Sequence, residues 1–79
     1  MAKVYESTKL GWVSARSRFG MYEWGWPNEG RGTTASDDTY QTAGDALKAL
    51  EAFASSLGWK RVGGARGSGE FASYRFERI

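Results

Sequence analysis

The sequence predicts an α+β fold with one antiparallel sheet of four to five strands and one amphipathic helix across one face, in the order ββ(β)αββ. Three observations support this prediction. The segment "TAGDALKALEAFASSLG" repeats apolar residues at helical spacing. The segments on both sides alternate apolar and polar residues, as half-buried strands do. Glycine-rich turns separate these segments. The chain of 79 residues is expected to form a single compact domain, 1–79.

The helix is predicted over residues 43–57. Thr42 is a good N-cap, with Asp45 three residues later as the acidic partner of a capping box. Gly58 favours the left-handed conformation that ends many helices. The apolar stripe that should face the sheet consists of Ala46, Leu47, Leu50, Phe53, Ala54 and Leu57.

Strands are predicted on both sides of the helix. Before the helix they cover residues 3–7, 10–16 and 21–26, with a short edge strand at 33–36. After the helix, "WKRVGG" and "EFASYRFERI" are expected to form a hairpin joined by the loop "ARGSG". A single sheet with the helix on one face is the most economical arrangement of these elements.

The segment "MYEWGW" places three large aromatic side chains on one side of one strand: Tyr22, Trp24 and Trp26. The other side of this strand carries Met21, Glu23 and Gly25, which together make a poor core, so the aromatic side is predicted to face the helix. Trp26 precedes Pro27 and is expected to protrude nonetheless.

The chain has twelve aromatic residues, which is more than one helix on one sheet can cover. Trp12 and Trp59 follow glycines at predicted strand starts, as Trp26 follows Gly25, and are expected to be exposed in the same way. Arg16 and Arg18 indicate that the face of Trp12 is directed to solvent at one end at least. Exposed aromatic side chains also make a homodimer plausible.

The absence of cysteine and histidine excludes several function classes. A disulfide scaffold, the usual zinc sites, and Ser–His or Cys–His catalysis all need residues that this chain lacks. No apolar run is long enough for a membrane span, and the N-terminal segment lacks the apolar core of a signal peptide. We therefore expect a cytoplasmic protein that is not an enzyme and has no cofactor, metal or membrane partner.

Two further segments have a structural explanation. Residues 63–70, "GGARGSGE", offer backbone N–H groups, but no helix follows them as in a phosphate-binding loop, so a hairpin tip is expected. Asp37 and Asp38 precede the helix with no third carboxylate nearby, and turn chemistry explains them better than a metal or acid–base site.

The charge is unevenly distributed, although the net charge is only +2. Residues 1–36 carry five basic and three acidic side chains, residues 37–58 carry one and four, and residues 59–79 carry five and two. A helix between two sheet-forming segments would then give an acidic helix layer and a basic sheet layer. Such a molecule orients toward a charged partner.

These features predict binding through an aromatic and arginine surface. A protein interface is the first reading, because tryptophan, tyrosine and arginine dominate interface hot spots. The alternative is single-stranded nucleic acid, whose bases stack on aromatic rings. Neither strand motif of ribonucleoprotein domains is present, however. The residues predicted to contact the partner are Trp12, Arg16, Arg18, Trp26, Arg31 and Arg66.

In size and layout, the chain resembles the small proteins with which phages and mobile elements disable a host machine, of which anti-CRISPR proteins are one group. The features that carry the resemblance are a short reading frame starting at Met1 and the helix "ALKALEAFASSLGW" between aromatic-rich strands. The resemblance implies an inhibitor, located in the host cytoplasm, that binds a CRISPR surveillance complex or effector nuclease. Many members are acidic DNA mimics, whereas this chain is basic, so it should bind a protein surface instead. No residue roles can be transferred from this resemblance.

Overall fold

The computed structural model describes residues 8–16, 21–28, 32–68 and 71–79. In chain order these residues form β1 (Thr8–Arg16), β2 (Met21–Pro27), β3 (Thr33–Ala35), α1 (Ala43–Ser56), β4 (Trp59–Ser68) and β5 (Phe71–Arg78). The predicted α+β fold, one antiparallel sheet with one helix across it, is confirmed. The strand predicted at residues 3–7 lies outside the described part of the chain.

The five strands form one sheet in the order β3-β2-β1-β5-β4, and each neighbouring pair is antiparallel. Strand β1 is central, with Trp12 opposite Gly25 of β2 on one side and opposite Ser73 of β5 on the other. The last strand of the chain therefore lies beside the first described strand. Strands β3 and β4 form the two edges of the sheet.

Helix α1 begins and ends as its cap residues predict. The Thr42 side chain accepts a hydrogen bond from the Asp45 amide at 3.1 Å, which confirms the N-cap. Gly58 has a φ of +89°, in the left-handed region that favours glycine, which confirms the C-terminal stop.

The predicted apolar stripe of α1 packs on the sheet, except at its last residue. Leu57 is 51% exposed, so its assignment to the stripe was wrong. The helix ends at Ser56, and the Leu57 backbone leaves helical geometry at φ −99° and ψ 2°. The side chain at position 57 therefore no longer follows the helical spacing. The fully buried helix residues are Ala46, Leu50 and Ala54.

Trp26 is a core residue, and the prediction that it protrudes was wrong. Its side chain is 2% exposed, with ring centroids 4.9 Å from Phe76 and 6.0 Å from Trp59. Strand β2 continues through Pro27, so its alternation keeps Trp26 on the same side as Trp24, beneath the helix. Trp59 is also buried, and its expected exposure was wrong. Its ring belongs to the hydrophobic core and packs against Trp26.

Two Gly-Trp dipeptides explain how the sheet accommodates an indole on each face. Gly11-Trp12 and Gly25-Trp26 lie on paired strands, with Trp12 opposite Gly25. A Cβ atom at Gly11 would lie 3.1 Å from both Trp26 and Leu50, which is tight contact. Glycine at position 11 therefore leaves the space that Trp26 fills between the sheet and the helix.

Strands β4 and β5 form the predicted hairpin, but β4 is longer than expected. The segment predicted as the loop "ARGSG" is largely strand, with Arg66 opposite Ser73 and Gly67 opposite Ala72. The register shifts between Val62 and Arg66, which marks a β-bulge. Pairing with β5 holds this glycine-rich segment in the sheet despite its low strand propensity.

Candidate functional site

The sheet has one face under the helix and one face that no described element covers. We call the second the open face. Its alternation follows from the register, because Val13, Trp24 and Phe76 point into the core and their strand neighbours point away. The open face consists of Leu10, Trp12 and Ser14 of β1, Glu23 and Gly25 of β2, Lys60, Val62 and Arg66 of β4, and Phe71, Ser73, Arg75 and Glu77 of β5.

An aromatic pair occupies the middle of the open face. Trp12 and Phe71 lie on the two neighbouring strands β1 and β5, with ring centroids 6.5 Å apart and planes 23° from parallel. Phe71 is 53% exposed, and Trp12 is half-buried. Leu10, on the same face of β1, is 51% exposed. We call Leu10, Trp12 and Phe71 the apolar centre of the open face.

Gly25 determines where the Trp12 ring lies. A Cβ atom at position 25 would lie 2.3 Å from Cε2 of Trp12 and 2.4 Å from its Cζ2 and Nε1 atoms. The indole therefore occupies the space that any side chain at position 25 would need. This contact places the Trp12 ring against β2 and beside Phe71.

The change Gly25→Ala is expected to displace the Trp12 ring while the core stays intact. The new methyl group cannot share the space of the indole, and the half-buried ring can rotate away because one side of it faces the open side of the sheet. We expect a tryptophan fluorescence spectrum shifted to longer wavelength, with the far-UV circular dichroism retained. Trp12→Ala/Gly25→Ala is the control, since its spectrum should equal that of Trp12→Ala; an unchanged spectrum in Gly25→Ala would contradict the prediction.

Charged side chains surround the apolar centre on the described part of the open face. Lys60, Arg66 and Arg75 are exposed on β4 and β5, whereas Glu77 and Glu23 supply negative charge. Arg75 Nη2 lies 3.9 Å from Glu77 Oε2, which is an exposed ion pair of little energetic weight. These charged residues form a rim around the apolar centre. The rim is of mixed sign, with a small excess of positive charge on the β4–β5 side.

The structure brings together some of the residues predicted to bind a partner and separates others. Trp12 and Arg66 both lie on the open face, and Arg66 is exposed. Arg16 is the last residue of β1, and its backbone pairs with Met21 of β2. Its side chain lies outside the part of the structure described above. Arg18 and Arg31 lie outside the described residues. Trp26 does not belong to this surface, because it is buried on the other face.

Arg61 of β4 also lies away from the open face. Its guanidinium donates to the Glu51 carboxylate of α1 and to the Gly63 carbonyl, and lies 6.0 Å from the Tyr74 ring centroid. The odd positions of the first part of β4 thus face the helix. This side chain connects the helix to the sheet.

The residues predicted to bind a partner do not include Phe71, Leu10 and Arg75, which the open face brings together around Trp12. The signal for two of them was present in the last strand, where Phe71 and Arg75 alternate with the core residues Tyr74 and Phe76. The alternation does not reveal which strand lies beside β5. Only the pairing of β1 with β5 makes Phe71 a neighbour of Trp12.

A cavity of about 190 Å³ lies at one end of the helix–sheet layer. Lys9 is only 8% exposed there, with its Nζ 5.2 Å from the Trp59 ring centroid and 5.9 Å from that of Trp26. The Arg78 guanidinium lies 4.7 Å from the same Trp59 ring. Both cations face aromatic rings, and these contacts stabilise the buried Lys9 in particular. The cavity is therefore explained as the edge of the hydrophobic core, and no ligand is needed to account for it.

The described residues include no group of three aspartate or glutamate side chains placed to hold a metal ion. The helix in the described part of the chain is too short and too polar to cross a membrane. Comparison with protein-family models, with curated proteins and with solved structures gave no match for this chain.

Proposed function

We propose that this protein is a non-enzymatic binding protein that contacts a protein partner through the open face. The observation that carries the proposal is the exposed apolar centre, in which Phe71 and Leu10 are each more than half exposed beside Trp12. Large apolar side chains cost free energy when they contact water, and an exposed group of them is typical of an interaction site. Aromatic residues with arginine at the rim are the composition of a binding hot spot.

The proposed partner class is a host defence complex, such as a CRISPR surveillance complex, with the protein acting as a phage or mobile-element inhibitor in the host cytoplasm. Support comes from the layout of one helix among aromatic-rich antiparallel strands and from a surface suited to binding. The basic character of β4 and β5 fits contact with an acidic protein region better than imitation of DNA.

A second candidate, binding of single-stranded nucleic acid, is supported by one specific observation. The Trp12 and Phe71 rings are nearly parallel and lie on neighbouring central strands, as do the rings on which bases stack in sheet-surface binders. The aliphatic Leu10 and Val62 and the acidic Glu23 and Glu77 on the same face favour the protein partner.

One experiment separates the two candidates. The intrinsic tryptophan fluorescence is followed during titration with single-stranded and duplex oligonucleotides at two salt concentrations. In parallel, immobilised wild-type protein is incubated with purified CRISPR surveillance complexes and, separately, with host lysate. We expect no salt-sensitive quenching and retention of a surveillance complex. Quenching at micromolar oligonucleotide that disappears at high salt would overturn the protein-partner proposal in favour of nucleic acid.

The homodimer stays a prediction, and it competes for the same surface. Sedimentation equilibrium of wild type and Phe71→Ala tests it. A dimer that dissociates in the variant would show that a second copy covers the open face, and the proposed partner would then bind elsewhere. A monomer leaves the open face available.

A further inference from the structure

The open face contains a depression beside its apolar centre. Its volume is about 280 Å³, and its lining residues are Leu10, Val62, Gly63, Gly64, Arg66 and Arg75. The depression results from the bulge in β4. Three residues, 63–65, lie between the pair Val62–Arg75 and the pair Arg66–Ser73, where β5 has only Tyr74, so β4 has two extra residues there. We call this feature the arginine depression.

Glycine is required in the floor of the arginine depression. Gly63 has a φ of +78°, which side chains with a Cβ atom rarely adopt. Neither Gly63 nor Gly64 has any atom within 4 Å of the position where a Cβ would stand. The two glycines therefore leave open space above the backbone, which a ligand group can enter.

Two guanidinium groups border this space. Arg66 and Arg75 are both exposed. The 3.9 Å between Arg75 and Glu77 exceeds hydrogen-bonding distance, so this contact leaves the Arg75 donors available. Residues 59–68 contain three basic and no acidic side chains, and only one of the three, Arg61, is turned toward the helix and Glu51. The lining of the depression thus includes two positive side chains and no negative one.

The arginine depression and the apolar centre form one continuous surface. Arg66 lies opposite Ser73, and Ser73 lies opposite Trp12, so the three residues form one row across strands β4, β5 and β1. Neighbouring strands are about 4.8 Å apart, which places the backbones of positions 66 and 12 about 10 Å from each other. Leu10 borders both features. A short segment of a partner can therefore reach both.

We propose that the arginine depression binds a carboxylate from an acidic segment of the protein partner; this inference rests on the proposed function. Arginine presents planar, paired N–H donors that match the two oxygens of a carboxylate. The walls formed by Leu10 and Val62 suit the aliphatic stem of a glutamate side chain. A nucleic-acid strand crossing the same face would bring successive phosphates toward Glu77 and Glu23, which disfavours phosphate as the source of the anion.

The test uses hexaglutamate as the probe, at millimolar concentration and low salt. Amide resonances of the ¹⁵N-labelled full chain are recorded by NMR for the wild type, Arg66→Gln, Arg75→Gln and Lys48→Gln. Lys48 is exposed on the helix, so Lys48→Gln removes the same charge from the opposite layer. We expect shifts centred on Gly63, Gly64 and Arg66, and an affinity about fivefold or more lower in each arginine variant only.

Two results would contradict the proposed carboxylate site. Absence of shifts at residues 63–66, or equal loss of affinity in Lys48→Gln, would overturn the carboxylate site. An oligothymidylate that binds more tightly than hexaglutamate, and loses affinity in the same arginine variants, would assign the site to phosphate. Thermal unfolding of each variant verifies that it is folded.

Failure of this inference is distinguishable from failure of the proposed function. If Arg66→Gln and Arg75→Gln retain the captured partner while Trp12→Ala loses it, the proposed function stands without the carboxylate site. If hexaglutamate binds as expected and no protein partner is retained, the depression is an anion site and the proposed function fails.

Discussion

Trp26→Ala is expected to lower the free energy of unfolding by about 3–5 kcal/mol, the usual cost of truncating a buried tryptophan. Trp26 is 2% exposed and contacts Phe76 and Trp59 ring to edge. A cavity there cannot close easily, because Gly11 offers no side chain to fill it. The total stability of a 79-residue domain is about 4–12 kcal/mol, so this one change removes a large part of it.

Urea unfolding followed by far-UV circular dichroism measures this effect. Phe71→Ala is the matched control, because it truncates an aromatic side chain that is 53% exposed and should cost about 1 kcal/mol or less. Equal midpoints for Trp26→Ala and wild type would mean that Trp26 is not in the core. The comparison also shows why loss of binding in Trp26→Ala is no test of the interface, because the change destabilises the fold as well.

Trp12→Ala is expected to produce the opposite pattern, a large loss of affinity with little loss of stability. Trp12 lies at the centre of the open face and contacts Phe71 and the Gly25 backbone rather than the helix. Central aromatic residues of an interface typically contribute about 2 kcal/mol or more, which corresponds to about a thirtyfold increase in Kd.

Affinity for the retained partner is measured by isothermal titration for the wild type, Trp12→Ala and Leu57→Ala. Leu57 is also about half exposed, but it lies at the end of the helix away from the open face, so its truncation should leave Kd unchanged. Equal losses in the two variants would place the interface somewhere else. Combining Trp12→Ala with Phe71→Ala should cost less than the sum of the single changes, because the two rings share one contact.

The effect of salt on this affinity reports the contribution of the rim. The described open face carries three basic and two acidic side chains, and the basic ones are concentrated on β4 and β5. Exposed charges act mainly on the association rate, and salt screens them. An aromatic-centred protein interface therefore keeps most of its affinity at high salt, unlike a contact with phosphates.

Local sequence signals were sufficient to predict the features that depend on residues close together in the chain. Thr42 and Gly58 fixed the ends of the helix, and the alternation in β5 separated Tyr74 and Phe76 from Phe71 and Arg75. The core side of β2 followed similarly, since its three large aromatic residues share one side of the strand. These features depend on hydrogen bonds and spacing within one element, which a single sequence records directly.

The predictions that failed involve relations between elements. Trp26 was expected at the surface because Pro27 follows it, but pairing with β3 continues the strand through Pro27, and Gly11 of β1 leaves the space for the Trp26 ring. The glycine-rich end of β4 was expected to be a loop, but β5 holds it in the sheet. Propensity describes one residue at a time, whereas these outcomes depend on the partner strand.

The sequence by itself determined the α+β class, the helix and its caps, and which residues of each strand share a side. The tertiary structure decided which strands are neighbours, and with that the composition of the open face: Phe71 beside Trp12, and Arg66 beside Arg75 around two glycines. The physical reason is that strand pairing joins residues about sixty positions apart in the chain, through backbone hydrogen bonds that every residue except proline can form equally well. Which pairs form depends on packing of the whole sheet against the helix.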